Sequence, residues 1–129
     1  MGIEQGDGYA VGSLADMGEG YGFRKVRKEL GVTAFGVNAI VMPPGFTSDA
    51  HYHDQQEELY ICLSGKLSLE FGDGTSHVLA PGDMARVDAA TVRRMGNPGS
   101  EDLTYLCVGG KDGYVGRDGR RPDGGPLGG

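Results

Sequence analysis

The sequence predicts an all-β domain, a barrel or sandwich of short strands, and three observations carry that reading. Glycine is the dominant punctuator, with 25 residues in a chain of 129. Between the glycines lie short runs of β-branched and apolar residues bounded by turn formers, which is how strands look in sequence. No apolar pattern at helical spacing continues long enough to build a helix of useful length.

Taken along the chain, residues 1–22 form a Gly-rich N-terminal segment with only weak patterning. The run Arg24-Lys25-Val26-Arg27-Lys28 is read as a solvated face or a charge-protected edge strand in preference to a binding patch. Residues 23–110 carry the strand signals. Val32 to Met42 is β-branched and apolar and stops at Pro43-Pro44. Leu59 to Leu63 ends at Ser64-Gly65. From Lys66 to Phe71 the pattern alternates, with Leu67, Leu69 and Phe71 on one face and Lys66, Ser68 and Glu70 on the other. Gly72-Asp73-Gly74 predicts a hairpin turn. Strands at Ser76 to Leu79, Asp83 to Val87 and Leu103 to Val108 complete a meander at barrel-like spacing. Residues 111–129 are a Gly-, Asp- and Arg-rich tail with too little apolar content to order itself, although Tyr114 and Val115 could dock on the barrel.

The formal net charge of −6 argues against a nucleic-acid partner, since phosphate recognition draws on clustered Lys and Arg. No apolar run approaches the ~20 residues of a membrane span, so no membrane partner is expected. The start Met1-Gly2-Ile3-Glu4-Gln5 lacks the basic and apolar regions of a signal peptide, and a cytoplasmic location is expected. Cys62 and Cys107 both fall in apolar strand-like runs and are read as buried free thiols.

Two of the three histidines, His51 and His53, lie two residues apart. On an extended strand such side chains leave one face roughly 6–7 Å apart, so both imidazoles can reach one ion. Glu58 can close a third corner from the next strand. Two imidazoles and a carboxylate form a facial set that leaves coordination positions open. The set suits Fe, Mn, Zn, Ni or Co, and the expected cofactor is one divalent transition metal ion of unassigned identity. Glu57 competes with Glu58, but parity puts it on the opposite face.

The spacing G-x5-H-x-H-x4-E-x6-G, filled by Gly45, His51, His53, Glu58 and Gly65, resembles the first motif of the cupin superfamily. The stretch from Pro81 to Gly99 resembles the second motif, in which P-x-G leads to a His and then an Asn. Pro81, Asp83 and Asn97 match, while Arg93 stands at the histidine position. The resemblance covers about residues 32–110 and implies a double-stranded β-helix, the jelly-roll barrel of cupins, with flexible Gly-rich termini.

Arg93 is the departure from the pattern. A guanidinium stays protonated at physiological pH and cannot serve as a neutral ligand. Three arrangements are open: Arg93 binds an anionic substrate group above a metal held by His51, His53 and Glu58; Arg93 pairs with Glu58 and displaces the metal; or Arg93 points outward and a water takes the fourth position. Tyr60, two residues from Glu58 on the same face, is a second candidate for substrate binding, with core packing as the alternative. His77 lies outside the motif and is read as exposed. If Glu58 faces inward, Leu59, Ile61 and Leu63 face outward, and small cupins usually pair through such faces, so a homodimer is expected. The function expected is that of a metal-binding cupin acting on a small molecule, an anionic one if Arg93 binds it, as a dioxygenase-like oxidoreductase. The alternatives are a binding protein without turnover and a metal-dependent isomerase or decarboxylase.

Overall fold

The computed structural model describes residues 2–127. The expectation of a flexible terminus at Met1, Gly128 and Gly129 therefore lies outside the described residues. The chain opens with a small hairpin, β1 (Glu4–Gly6) and β2 (Tyr9–Val11). A single 3-10 turn, Leu14–Asp16, follows, with the Ser13 hydroxyl accepting the Ala15 N–H as a cap. Next come β3 (Gly22–Arg24) and α1 (Val26–Leu30), the latter closed by Gly31 at φ 75°. The basic run is thus divided. Arg24 ends β3 as a buried residue donating to the Gly20 carbonyl at 2.8 Å, while Arg27 lies on α1 with its guanidinium over the Tyr114 ring.

The barrel strands are β4 (Gly36–Met42), β5 (Tyr52–His53), β6 (Glu57–Ser64), β7 (Leu67–Phe71), β8 (Ser76–Leu79), β9 (Met84–Val87), β10 (Arg93–Gly96), β11 (Leu103–Gly110) and β12 (Gly119–Arg120). All pairings are antiparallel. One sheet has the order β3-β4-β11-β6-β9 and faces the trio β10-β7-β8. The pair β12-β5 joins that second face through a backbone bridge between His51 and Arg93, and a bridge from Thr47 to Gly96 continues it. The result is the jelly roll that the sequence predicts.

The core lies between the two faces, built from Ile40, Tyr60, Cys62, Leu67, Leu69, Leu79, Val87, Met95, Leu103 and Tyr105. Leu67 and Leu69 are buried and Glu70 is exposed, so the alternation read in the sequence is the one that packs. Each large aliphatic side chain fully buried here stabilises the fold by about 1.5–3 kcal/mol.

Residues after Gly110 make several contacts with the rest of the chain, including one at Tyr114, a residue expected to dock. Tyr114 stacks under Arg27, β12 pairs with β5, and Asp118 is buried at 6 % exposure. Asp118 and Arg120 make polar contacts to the β5 segment.

Candidate metal centre

β6 carries the parity that positions the site. Glu58, Tyr60 and Cys62 alternate inward as buried residues, while Leu59 and Ile61 are half-buried and Leu63 is exposed on the other face. Glu57 points outward and pairs with Arg86 at 3.1 Å. The chain reverses after β6 at Gly65, whose φ of 77° suits glycine. A Cβ there would also run into the Asp102 carbonyl oxygen. Gly45 has φ 84° in the turn that leads from β4 toward the histidines, and its N–H donates to the Asn97 carbonyl at 3.0 Å. Asn97 itself ties that turn together, its amide donating to the carbonyls of Met42 and Glu101. Three of the motif residues thus build the loops that bring the others together.

His51, His53 and Glu58 are buried, and each offers a ligand atom within 4.8 Å of the other two. The imidazoles stand edge to face with centroids 5.1 Å apart. His51 is fixed by two backbone bonds with Arg93, at 2.9 and 2.8 Å. Burial, then the charges of Arg93 and His53, lower its pKa, so the neutral, ligand-competent imidazole is favoured. For His53 burial lowers the pKa, but Glu58 and Asp118 outweigh it and the net shift is upward. Burial likewise raises the pKa of Glu58, yet His53, the Tyr60 hydroxyl and the Cys107 thiol outweigh it and bring it to about 2. Glu58 is therefore a carboxylate throughout the physiological range.

Tyr60, 1 % exposed, donates its hydroxyl to Glu58 Oε1 at 2.6 Å, and the Cys107 thiol donates to Oε2 at 3.1 Å. Cys107 is a free thiol, as expected, but its contact with Glu58 was not anticipated. The register that places β11 beside β6 makes that contact, and nothing in the spacing of Cys107 announces it. His77 is exposed on β8, away from this cluster.

Arg93 is fully buried at 0 % exposure, which overturns the arrangement in which it points to solvent. Its Nη1 donates to the carbonyls of Thr91 at 2.8 Å and Ala89 at 3.3 Å. Its Nη2 lies 3.4 Å from Glu58 Oε1, within ion-pair reach. Neither Nε nor Nη2 has a hydrogen-bond partner among the described residues.

Asp118 is the residue that sequence reasoning missed. Its Oδ1 lies 2.8 Å from His53 Nδ1 and also accepts from the Gln56 side chain, while Oδ2 accepts the N–H groups of Gln55 and Gln56 at 2.8 and 2.9 Å. Burial raises its pKa, but these donors outweigh it, those of Gln56 and Gln55 foremost, and hold it at about 2. It lies 65 residues from His53 in a stretch without strand pattern, so only the fold reveals the contact.

The donor set passes the test of fit for a divalent ion. With Nδ1 held by Asp118, His53 Nε2 is buried 3.0 Å from Glu58 Oε1, an ion-pair contact, and has no hydrogen bond among the described residues. The three ligand atoms lie within 4.8 Å of one another, so small side-chain shifts bring them onto one ion with metal–ligand bonds of about 2.0–2.2 Å. The Arg93 charge opposes the ion but leaves the three ligand atoms in place.

Fold and site together describe a small jelly-roll protein with a buried cluster of two histidines and a carboxylate. The family model described as "Cupin domain" matches residues 38–109, more than half of the sequence, and the chain belongs to the cupin family. A cupin protein from Bacteroides fragilis is similar at 27 % identity and TM-score 0.69, over 84 % of this chain and 88 % of that one. A protein from Acidithiobacillus ferrooxidans, assigned as a sugar phosphate isomerase, is 29 % identical with TM-score 0.60, over 67 % of this chain and 56 % of its own. A predicted oxalate decarboxylase from Thermotoga maritima is 26 % identical with TM-score 0.53, over 57 % and 64 %. The chain thus spans less than two thirds of the length of the last two. Comparison with curated proteins gives no match. Among the described residues no helix is long and apolar enough to cross a membrane.

Proposed function

We propose that this cupin holds one divalent metal ion on His51, His53 and Glu58 and acts as an enzyme on a small organic molecule. The observation that carries the reading is the buried Nε2 of His53, 3.0 Å from Glu58 Oε1 and without a hydrogen bond among the described residues, while its other ring nitrogen is engaged by Asp118. Three protein ligands leave open positions for a substrate that chelates through two oxygens. Bound there, the ion would supply Lewis acidity, or redox chemistry with dioxygen if it is ferrous. The facial ligand set supports a dioxygenase-like oxidoreductase; isomerisation or decarboxylation is the reading that the names of two neighbours support.

The residues around the ligands have separable tasks. Asp118 orients His53, and Tyr60 and Cys107 orient the Glu58 carboxylate. The free Nε and Nη2 donors of Arg93 suit an anionic substrate group. Tyr60 remains a candidate for substrate contact through the same hydroxyl. The second reading is a binding protein without metal, supported by the approach of Arg93 to Glu58. Elemental analysis of protein purified without affinity nickel separates the two. The expected outcome is close to one ion per chain, lost in the His51→Ala, His53→Ala double variant. Metal that survives both substitutions, or none in the unmodified protein, defeats the proposal.

A further inference from the structure

The carboxylate of Asp118 collects four donors on two oxygens. Oδ1 receives His53 Nδ1 and the Gln56 amide, and Oδ2 receives the backbone N–H groups of Gln55 and Gln56. Three of the four belong to the short connection between β5 and β6, the segment that links His53 to Glu58. Backbone pairing of β12 with β5 sets Gly119 opposite His53, and an ion pair from Arg120 to Asp54 at 2.8 Å anchors the same crossing. The C-terminal segment is therefore strapped across the back of the ligand pair, with Asp118 as its buried contact.

We propose that Asp118 is a positioning residue that selects the His53 tautomer, keeping the proton on Nδ1 so that Nε2 presents its lone pair to a metal shared with His51 and Glu58. The inference rests on the metal reading of this site. An acceptor on one ring nitrogen decides which nitrogen is free to ligate, and such outer contacts commonly change metal affinity 10–100-fold. Asparagine at position 118 makes the argument sharp. One of its two terminal atoms is an amide nitrogen, which must face either the two backbone N–H groups or His53. The backbone donors cannot turn away. The amide nitrogen therefore faces His53 and the Gln56 amide, whose nitrogen lies 3.3 Å from His53 Nδ1 and which turns to present its oxygen; Nδ1 becomes the acceptor, and the proton moves to Nε2, which then faces Glu58 and cannot ligate.

The test uses two readouts. Long-range proton–nitrogen NMR of metal-free protein at about pH 9, above the histidine range, reports the His53 tautomer. Titration with Co2+ alone reports affinity. The unmodified protein is expected to carry Nδ1–H, Asp118→Asn to carry Nε2–H with Co2+ affinity lowered about 10–100-fold, and Asp118→Glu to recover the Nδ1–H form. An Nε2–H tautomer in the unmodified protein, or an unchanged tautomer and affinity in Asp118→Asn, overturns the proposal. Asparagine matches aspartate in shape, and circular dichroism checks that the variant is folded; if it is not, the tautomer of the unmodified protein and that of Asp118→Glu decide. Absence of Co2+ binding by the unmodified protein overturns the metal reading alone, because the tautomer spectrum still decides what Asp118 does.

Discussion

Arg93 is the side chain on which the two readings of the site diverge. A buried guanidinium beside Glu58 supplies charge that disfavours a dication, yet it leaves two donors without acceptors in a protein interior, where unpaired polar groups are costly. A bound anion would satisfy both. Arg93→Lys should weaken the binding of small carboxylates by about tenfold or more while leaving metal content nearly unchanged, because a point charge cannot reproduce a two-pronged contact. Calorimetry with a panel of small carboxylates, beside metal analysis, checks this. Arg93→His should raise metal affinity by adding an imidazole and removing the opposing charge. If the unmodified protein holds no metal and only the histidine variant does, Arg93 has displaced the ion, and the binding-protein reading stands.

Among the elements, β6 carries most of the architecture of the site, since its alternation sends Glu58, Tyr60 and Cys62 inward and its end at Gly65 starts the return into β7. Gly65→Ala should destabilise the fold by about 1–3 kcal/mol from the left-handed backbone alone. The Asp102 carbonyl in the way of a Cβ adds to that cost. Denaturant unfolding measures it; a loss below about 0.5 kcal/mol would mean that the turn relaxes freely. The alternation of this strand was legible because apolar residues with period two leave a mark along the chain. β5 and β12, of two residues each, leave no such mark, and their pairing comes from contacts between distant segments.

For the molecule as a whole, the outward row of Leu59, Ile61 and Leu63 continues onto Met84, which pairs with Ile61 and is 57 % exposed. An apolar sheet face of this kind is commonly covered by a second copy related by a twofold axis. We expect a dimer in solution. Ile61→Glu should dissociate it by placing a charge in a dry contact at a cost of several kcal/mol. Light scattering reads the outcome, and a monomer for the unmodified chain would refute the argument from this face.

The fold class and the three candidate ligands were present in the linear order of residues, because strand alternation, turn glycines and the spacing of His51, His53 and Glu58 are local properties. Even the oddity of Arg93 was visible there, as a cation at a histidine position. Its burial, the contact of Cys107 with Glu58 and the pairing of β12 with β5 were not. Each depends on which strands lie side by side: β11 beside β6 brings Cys107 to the carboxylate, β10 against the His51 segment buries Arg93, and β12 beside β5 delivers Asp118 to His53. A single buried hydrogen bond between residues 65 positions apart leaves no periodicity to read. It exists only once the barrel has closed around it.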